Sequence, residues 1–131
     1  MNLQQDVKQR YYFDTSIWLD YYLKRGENGE AAKKLILKIV KEGDMIVYSD
    51  LTLRELKKTG IFESEINWML WIAKPDNLIR VHLTKEQLYE ARRLSKDREV
   101  PFKDAIHAIL ARDHEAVLVS RDYHFQRIKD V

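Results

Sequence analysis

The sequence predicts an α/β chain of three layers, α/β/α, around a short central parallel sheet. Three observations predict it. Four short apolar runs, near 10–14, 45–48, 78–82 and 116–120, alternate with segments whose apolar residues recur at helical spacing. The runs fit strands buried on both faces, as a parallel sheet covered by helices requires. Only four glycines and two prolines occur in 131 residues, with no repeat, low-complexity tract or linker. Residues 1–131 therefore read as one domain, long enough to bury a real core.

The first strand covers Arg10 to Asp14, where Tyr11, Tyr12 and Phe13 make the apolar run. Thr15 or Ser16 can cap the helix that follows, with Ile17, Trp18, Tyr21 and Tyr22 at helical spacing. Gly26 and Gly29 interrupt it. From about Gly29 to Glu42, Ala32, Leu35, Ile36, Ile39 and Val40 form one stripe, and Gly43 can close that helix. Met45 to Tyr48 is the second strand, and Ser49 or Asp50 caps a helix carrying Thr52, Glu55 and Leu56 that stops near Gly60. A further helix over about 62–73 buries Phe62, Ile66, Met69 and Ala73 and is ended by Pro75.

Leu78 to His82 is the third strand. Thr84 and Gln87 have capping-box spacing, with Leu88, Ala91 and Leu94 as the buried stripe behind them. Pro101 opens the next helix, whose Ala105, Ile106, Ile109 and Leu110 face the core. Ala116 to Ser120 is the fourth strand, followed by a turn or short helix containing Asp122 and Phe125.

Composition excludes several classes of function. Without cysteine there is no disulfide scaffold, thiolate metal site or cysteine nucleophile, and a reducing cytoplasm is the expected location. The N-terminus carries no apolar leader core, and no run is long enough to span a bilayer. Net charge is +2, from 23 basic and 21 acidic residues. Four acids gathered on a metal would leave 23 against 17, a basic excess of six available to a phosphate backbone. No P-loop, dinucleotide fingerprint or Gly-x-Ser-x-Gly elbow occurs, and the four histidines lack zinc spacing.

Four acids stand out by placement. Asp14 ends the first strand, and Asp122 lies just beyond the fourth, 108 positions later. Glu55 follows the second strand on a helix, and Asp104 sits in the first turn of another. Ligand-binding residues of parallel α/β sheets gather beyond the C-terminal strand ends, so the four can converge at one rim. Each also has a plainer reading. Asp14 could be a local cap, Glu55 a solvated helix charge, Asp104 a partner for the helix dipole and Asp122 a turn former. Together they make a cluster that is electrostatically poor without a cation and well suited to Mg²⁺ or Mn²⁺, which prefer oxygen ligands.

The segments Phe13-Asp14-Thr15-Ser16, Leu53-Arg54-Glu55-Leu56, Phe102-Lys103-Asp104-Ala105-Ile106-His107-Ala108 and Val119-Ser120-Arg121-Asp122-Tyr123-His124-Phe125 resemble the PIN-domain nuclease family. They come in the family's order and span almost the whole chain. The resemblance implies that Asp14, Glu55, Asp104 and Asp122 are metal-site residues, with Ser16 and Ser120 supporting the cluster. It implies a Mg²⁺- or Mn²⁺-dependent endoribonuclease using metal-activated water and leaving a 5′-phosphate and a 3′-hydroxyl. Many compact members are toxins of toxin–antitoxin pairs, so a cognate antitoxin and a homodimer are expected partners. Members usually continue past the Phe125 region into a final edge strand, for which the residues up to Val131 leave little room.

Several residues compete for roles. His107, three positions after Asp104, could contact phosphate, tune an acid or make a local structural hydrogen bond. His124 could reach substrate. Arg10, Arg54, Lys57, Lys58, Lys103 and Arg121 flank the acids and could position phosphate, while Tyr11, Tyr12, Phe13 and Phe125 are assigned to packing. Trp68 and Trp71 project away from the buried face of their helix, toward either a neighbouring helix or a partner surface. The alternative to an enzyme is a non-catalytic nucleic-acid or protein-binding module with the same fold, and a DNA nuclease is the lesser enzymatic alternative.

Overall fold

The computed structural model describes residues 8–73 and 76–131, and at 123 and 124 the backbone alone. The N-terminal segment 1–7, Pro75 and the His124 side chain, each given a role from sequence, lie outside the described residues. Four parallel strands, β1 (Arg10–Phe13), β2 (Met45–Ser49), β3 (Leu78–Val81) and β4 (Val117–Val119), run in the spatial order β3-β2-β1-β4. Among the described residues six α-helices join them: α1 (Thr15–Leu23), α2 (Gly26–Lys41), α3 (Asp50–Lys58), α4 (Glu63–Leu70), α5 (Lys85–Arg98) and α6 (Phe102–Asp113). No helix among the described residues is long and apolar enough to cross a membrane.

Three layers follow from the two-residue period of a strand. In β1, Phe13 enters the core against α1, α2 and α4, with Trp18, Ile36, Ile66 and Met69. Its neighbour Tyr12 enters the opposite core, with Ala91 of α5 and Ala105 and Ile109 of α6. Ile46 and Val47 of β2 divide in the same way. Both faces are buried, which is why these strands are apolar at consecutive positions.

Local chemistry sets most element ends. Ser49 caps α3 in a reciprocal capping box with Thr52, and Thr84 and Gln87 do the same for α5. Gly43, at φ +75°, ends α2, with Gly43 N–H donating to Val40 C=O at 3.1 Å and Asp44 N–H to Ile39 C=O at 3.0 Å. At the α1–α2 corner a Cβ on Gly29 would lie 2.8 Å from the Asp20 carbonyl oxygen, so only glycine lets the two helices meet there.

Four expectations are corrected. Neither Thr15 nor Ser16 caps α1: the N-cap position is Asp14, whose side chain makes no cap hydrogen bond, and both hydroxyls are used elsewhere. Helix α2 begins at Gly26 rather than Gly29. Pro101 opens α6 as expected, from its N-cap position. Helix α4 is short, giving way to a 3-10 turn at Trp71–Ala73, and Phe62 before it is 72% exposed instead of buried. With Phe62 outside the helix at its N-cap, the helical stripe that placed it in the core does not extend to it. β4 is three residues long, and among the described residues the chain passes from it into a 3-10 turn, Tyr123–Ile128, with no further strand.

Candidate active site

The chain moves outward from β1 to β2 to β3, then returns to place β4 on the other side of β1. The order therefore reverses between β1 and β4, and a crevice opens beyond the carboxyl ends of strands at such a switch. Asp14 follows β1 there, while Ser120 and Asp122 follow β4. The ladder persists one step further, with Asp14 N–H donating to Val119 C=O at 3.0 Å. Asp14, Glu55, Asp104 and Asp122 all line this one cleft, of about 720 Å³. Acids up to 108 positions apart in sequence are thus brought together.

Their surroundings differ. Ser16 and Ser120 each donate from Oγ to Asp14 Oδ2 at 2.9 Å, and Ser120 Oγ accepts from Asp122 N–H at 2.9 Å. One serine thereby ties the two strand ends. Glu55 Oε1 accepts from Thr15 Oγ1 at 2.9 Å and lies 2.6 Å from His107 Nε2, while Oε2 is 3.8 Å from Lys103 Nζ. Burial pushes the Glu55 carboxyl up, but the His107 and Thr15 hydrogen bonds and the nearby charges outweigh it and hold the group below its ordinary value.

Asp104 shows the opposite balance. It is 2% exposed, and its carboxyl is pushed up to about 6, first by burial and then by the Asp122 and Asp14 charges. Among the described residues no three histidine, aspartate or glutamate side chains already form a metal-ligand group.

The cleft has two further kinds of wall. Arg54, Lys58, Lys103 and Arg121 bring positive charge to it, whereas Leu51, Leu83, Leu88 and Phe102 are apolar. Of the basic residues singled out by sequence, Lys57 does not line the cleft. Arg10 begins β1 at the other end of the sheet, donating to His114 C=O at 3.2 Å. His107 is wholly buried, which removes a phosphate contact and leaves the acid-tuning and hydrogen-bonding readings.

Sequence reasoning missed Thr15, the polar use of Tyr12 and the Asp20–Arg121 pair. Arg121 donates to Asp20 through Nε at 2.6 Å and Nη2 at 2.8 Å, anchoring the segment that carries Asp122 to α1. One signal was available: Asp20 is a lone charge among Ile17, Trp18, Leu19, Tyr21 and Tyr22. Nothing local linked Tyr12 to His107, 95 positions away.

Comparison with known proteins agrees with the fold. Among solved structures the chain is similar to the crystal structure of VapBC2 from Rickettsia felis bound to a DNA fragment from their promoter. That similarity has a TM-score of 0.71 and 18% identity and covers 94% of this chain and 96% of that one. The chain is also similar to a toxin–antitoxin complex from Klebsiella pneumoniae, with a TM-score of 0.60, 21% identity, and 88% and 89% of the two chains covered. At these identities the likeness is one of fold. No curated protein matches by sequence. The family model described as PIN domain matches residues 11–131, a span that takes in Asp14, Glu55, Asp104 and Asp122, and the chain belongs to the PIN domain family.

Proposed function

We propose that this chain is a Mg²⁺- or Mn²⁺-dependent endoribonuclease and the toxin of a toxin–antitoxin pair. The observation that carries the reading is the gathering of four carboxyl groups in one cleft, with Asp104 pushed up first by burial and then by its acidic neighbours Asp122 and Asp14. Such crowding is unfavourable in a purely structural site and favourable once a hard divalent cation is shared. The donors are all oxygen, which fits Mg²⁺ or Mn²⁺ and not a soft metal.

Asp14, Asp104 and Asp122 would hold the ion, with Glu55 beside them. When bound, the ion supplies charge stabilisation at the phosphoryl group and lowers the proton affinity of water. The chain's own residues set the stage. Ser120 holds the Asp14 carboxylate and the Asp122 backbone together, while Arg54, Lys58 and Lys103 on the cleft wall would meet substrate phosphates.

Purified protein is expected to cut RNA when Mn²⁺ is added and to stop when it is chelated. Intact RNA across structured and unstructured substrates, with metal present, would leave the binding-module reading in its place. Substrate DNA in the same assay separates the two nuclease readings.

The partner reading rests on a different observation. Phe62, Trp68 and Trp71 are 72%, 67% and 73% exposed around one short helix, too much aromatic surface to leave in water without use. The solved relative from Klebsiella is a toxin–antitoxin complex, and an antitoxin or a second copy of this chain is the occupant proposed here. Replacing Trp68 and Trp71 together by serine is expected to leave the melting temperature within a few degrees of wild type and to abolish assembly. Light scattering with and without the co-expressed antitoxin reads this out, and an unchanged assembly mass would count against the surface.

A further inference from the structure

Behind the cleft a buried chain of polar groups joins four elements. Ser49 Oγ lies 2.7 Å from Tyr12 OH, Tyr12 OH lies 2.6 Å from His107 Nδ1, and His107 Nε2 lies 2.6 Å from Glu55 Oε1. Tyr12, Ser49 and His107 are all 0% exposed, so their polar atoms must be satisfied inside the protein. That requirement fixes the direction of each bond. A carboxylate oxygen can only accept, so at 2.6 Å from Glu55 Oε1 it is His107 Nε2 that carries the hydrogen. Burial pushes the Tyr12 hydroxyl far up, so it keeps its proton and can donate to Nδ1. Ser49 supplies the tyrosine oxygen in turn and, as the N-cap of α3, accepts from Thr52 N–H at 3.3 Å.

The two ends of this chain meet on one helix, since α3 begins at the Ser49 cap and carries Glu55. Its middle crosses to α6, where His107 lies one turn beyond Asp104. Glu55 Oε1 therefore receives two protein donors, His107 Nε2–H and Thr15 Oγ1–H, leaving Oε2 on the side of Lys103. An apolar residue would fill the same volume without the cost of burying an imidazole.

We propose that His107 is a positioning residue for Glu55: its Nε2–H, oriented by Tyr12, holds Oε1 so that Oε2 is the oxygen offered to the cleft. The proposal rests on the nuclease reading above. Partners that orient a metal-site carboxylate typically change metal affinity by roughly 10- to 100-fold when removed.

The test begins with ¹⁵N spectra of the histidine rings in the wild-type protein, His107 being assigned by the signals lost in His107→Gln. A proton on His107 Nε2 is expected, and a bare Nε2 would overturn the proposal. Mn²⁺ binding by calorimetry and RNA cleavage kinetics are then compared across His107→Leu, His107→Gln and Tyr12→Phe. His107→Leu should bind Mn²⁺ roughly 10- to 100-fold more weakly and lose kcat, with KM for RNA close to wild type. His107→Gln, whose amide can still donate to Glu55, should recover part of both. A purely structural role would lower the melting temperature in all three variants without this rescue. If His107→Leu does not fold, His107→Gln and Tyr12→Phe decide, and wild-type Mn²⁺ affinity and kcat in both would end the idea. A wild type that neither binds Mn²⁺ nor cuts RNA fails the nuclease reading instead, while the nitrogen spectrum still shows whether His107 donates to Glu55.

Discussion

Asp104→Asn is expected to abolish metal-dependent RNA cleavage and, at the same time, to make the protein harder to unfold in chelator at pH 8. The two effects share one cause. In the folded chain the Asp104 carboxyl is pushed from 3.8 to about 6 by burial and by Asp122 and Asp14. Between about pH 4 and pH 6 the folded state keeps a proton that the unfolded chain has released, so stability falls as pH rises through that window. Above about pH 6 the full penalty applies, at most about 2–3 kcal/mol for a shift of this size. Asparagine removes it but also forfeits a favourable charge in the first turn of α6, worth about 0.3–1 kcal/mol. The net gain should be about 1–2 kcal/mol, a rise of several degrees in melting temperature for a chain of this length.

Thermal melts in chelator should therefore show wild type losing stability between pH 4.5 and pH 8 and the variant changing much less. Added Mn²⁺ should raise the melting temperature of wild type and not that of the variant. Cleavage should drop by at least about 100-fold, more than the loss of an outer partner typically costs. A folded Asp104→Asn protein that still cuts RNA at the wild-type rate would remove Asp104 from the active site.

Arg121→Ala is expected to have the larger effect on folding. Asp20 is wholly buried on α1, and Arg121 meets both of its carboxylate oxygens, while Arg25 reaches only to 3.5 Å. Removing one partner of a buried ion pair strands the other charge, at about 3–5 kcal/mol. The Arg121 side chain is 44% exposed and Arg25 remains, so about 2–3 kcal/mol is the reasonable share here. In an Asp20→Asn background the same substitution should cost much less, because a neutral amide is cheaper to leave without its arginine. Urea denaturation of the four proteins measures the coupling. A single Arg121→Ala variant within about 0.5 kcal/mol of wild type would show that this arginine does not hold the Asp20 charge.

Much of the architecture was legible because its signals are local. Apolar runs without polar alternation point to four parallel strands, and the Thr84–Gln87 spacing marks the start of α5. Asp14 and Asp122 could be matched across the chain because both stand at strand ends, and equivalent ends of a parallel sheet share one rim. Signals failed where a side chain had a tertiary use that outbid its local one. Thr15 and Ser16 look like caps for α1, yet their hydroxyls go to Glu55 and Asp14. Phe62 fits the helical stripe of α4, yet the helix begins after it and leaves the ring in solvent.

By itself, the sequence determined the element types and put Asp14 and Asp122 at equivalent strand ends, because periodicity and strand-end position are properties of neighbouring residues. Only the tertiary structure decided what each acid meets: two serines at Asp14, an imidazole and a threonine at Glu55, and other carboxylates at Asp104. The reason is physical. A carboxyl group's proton affinity and its fitness for a cation depend on burial and on charges a few ångströms away, and here those neighbours arrive from strands and helices up to 108 positions distant.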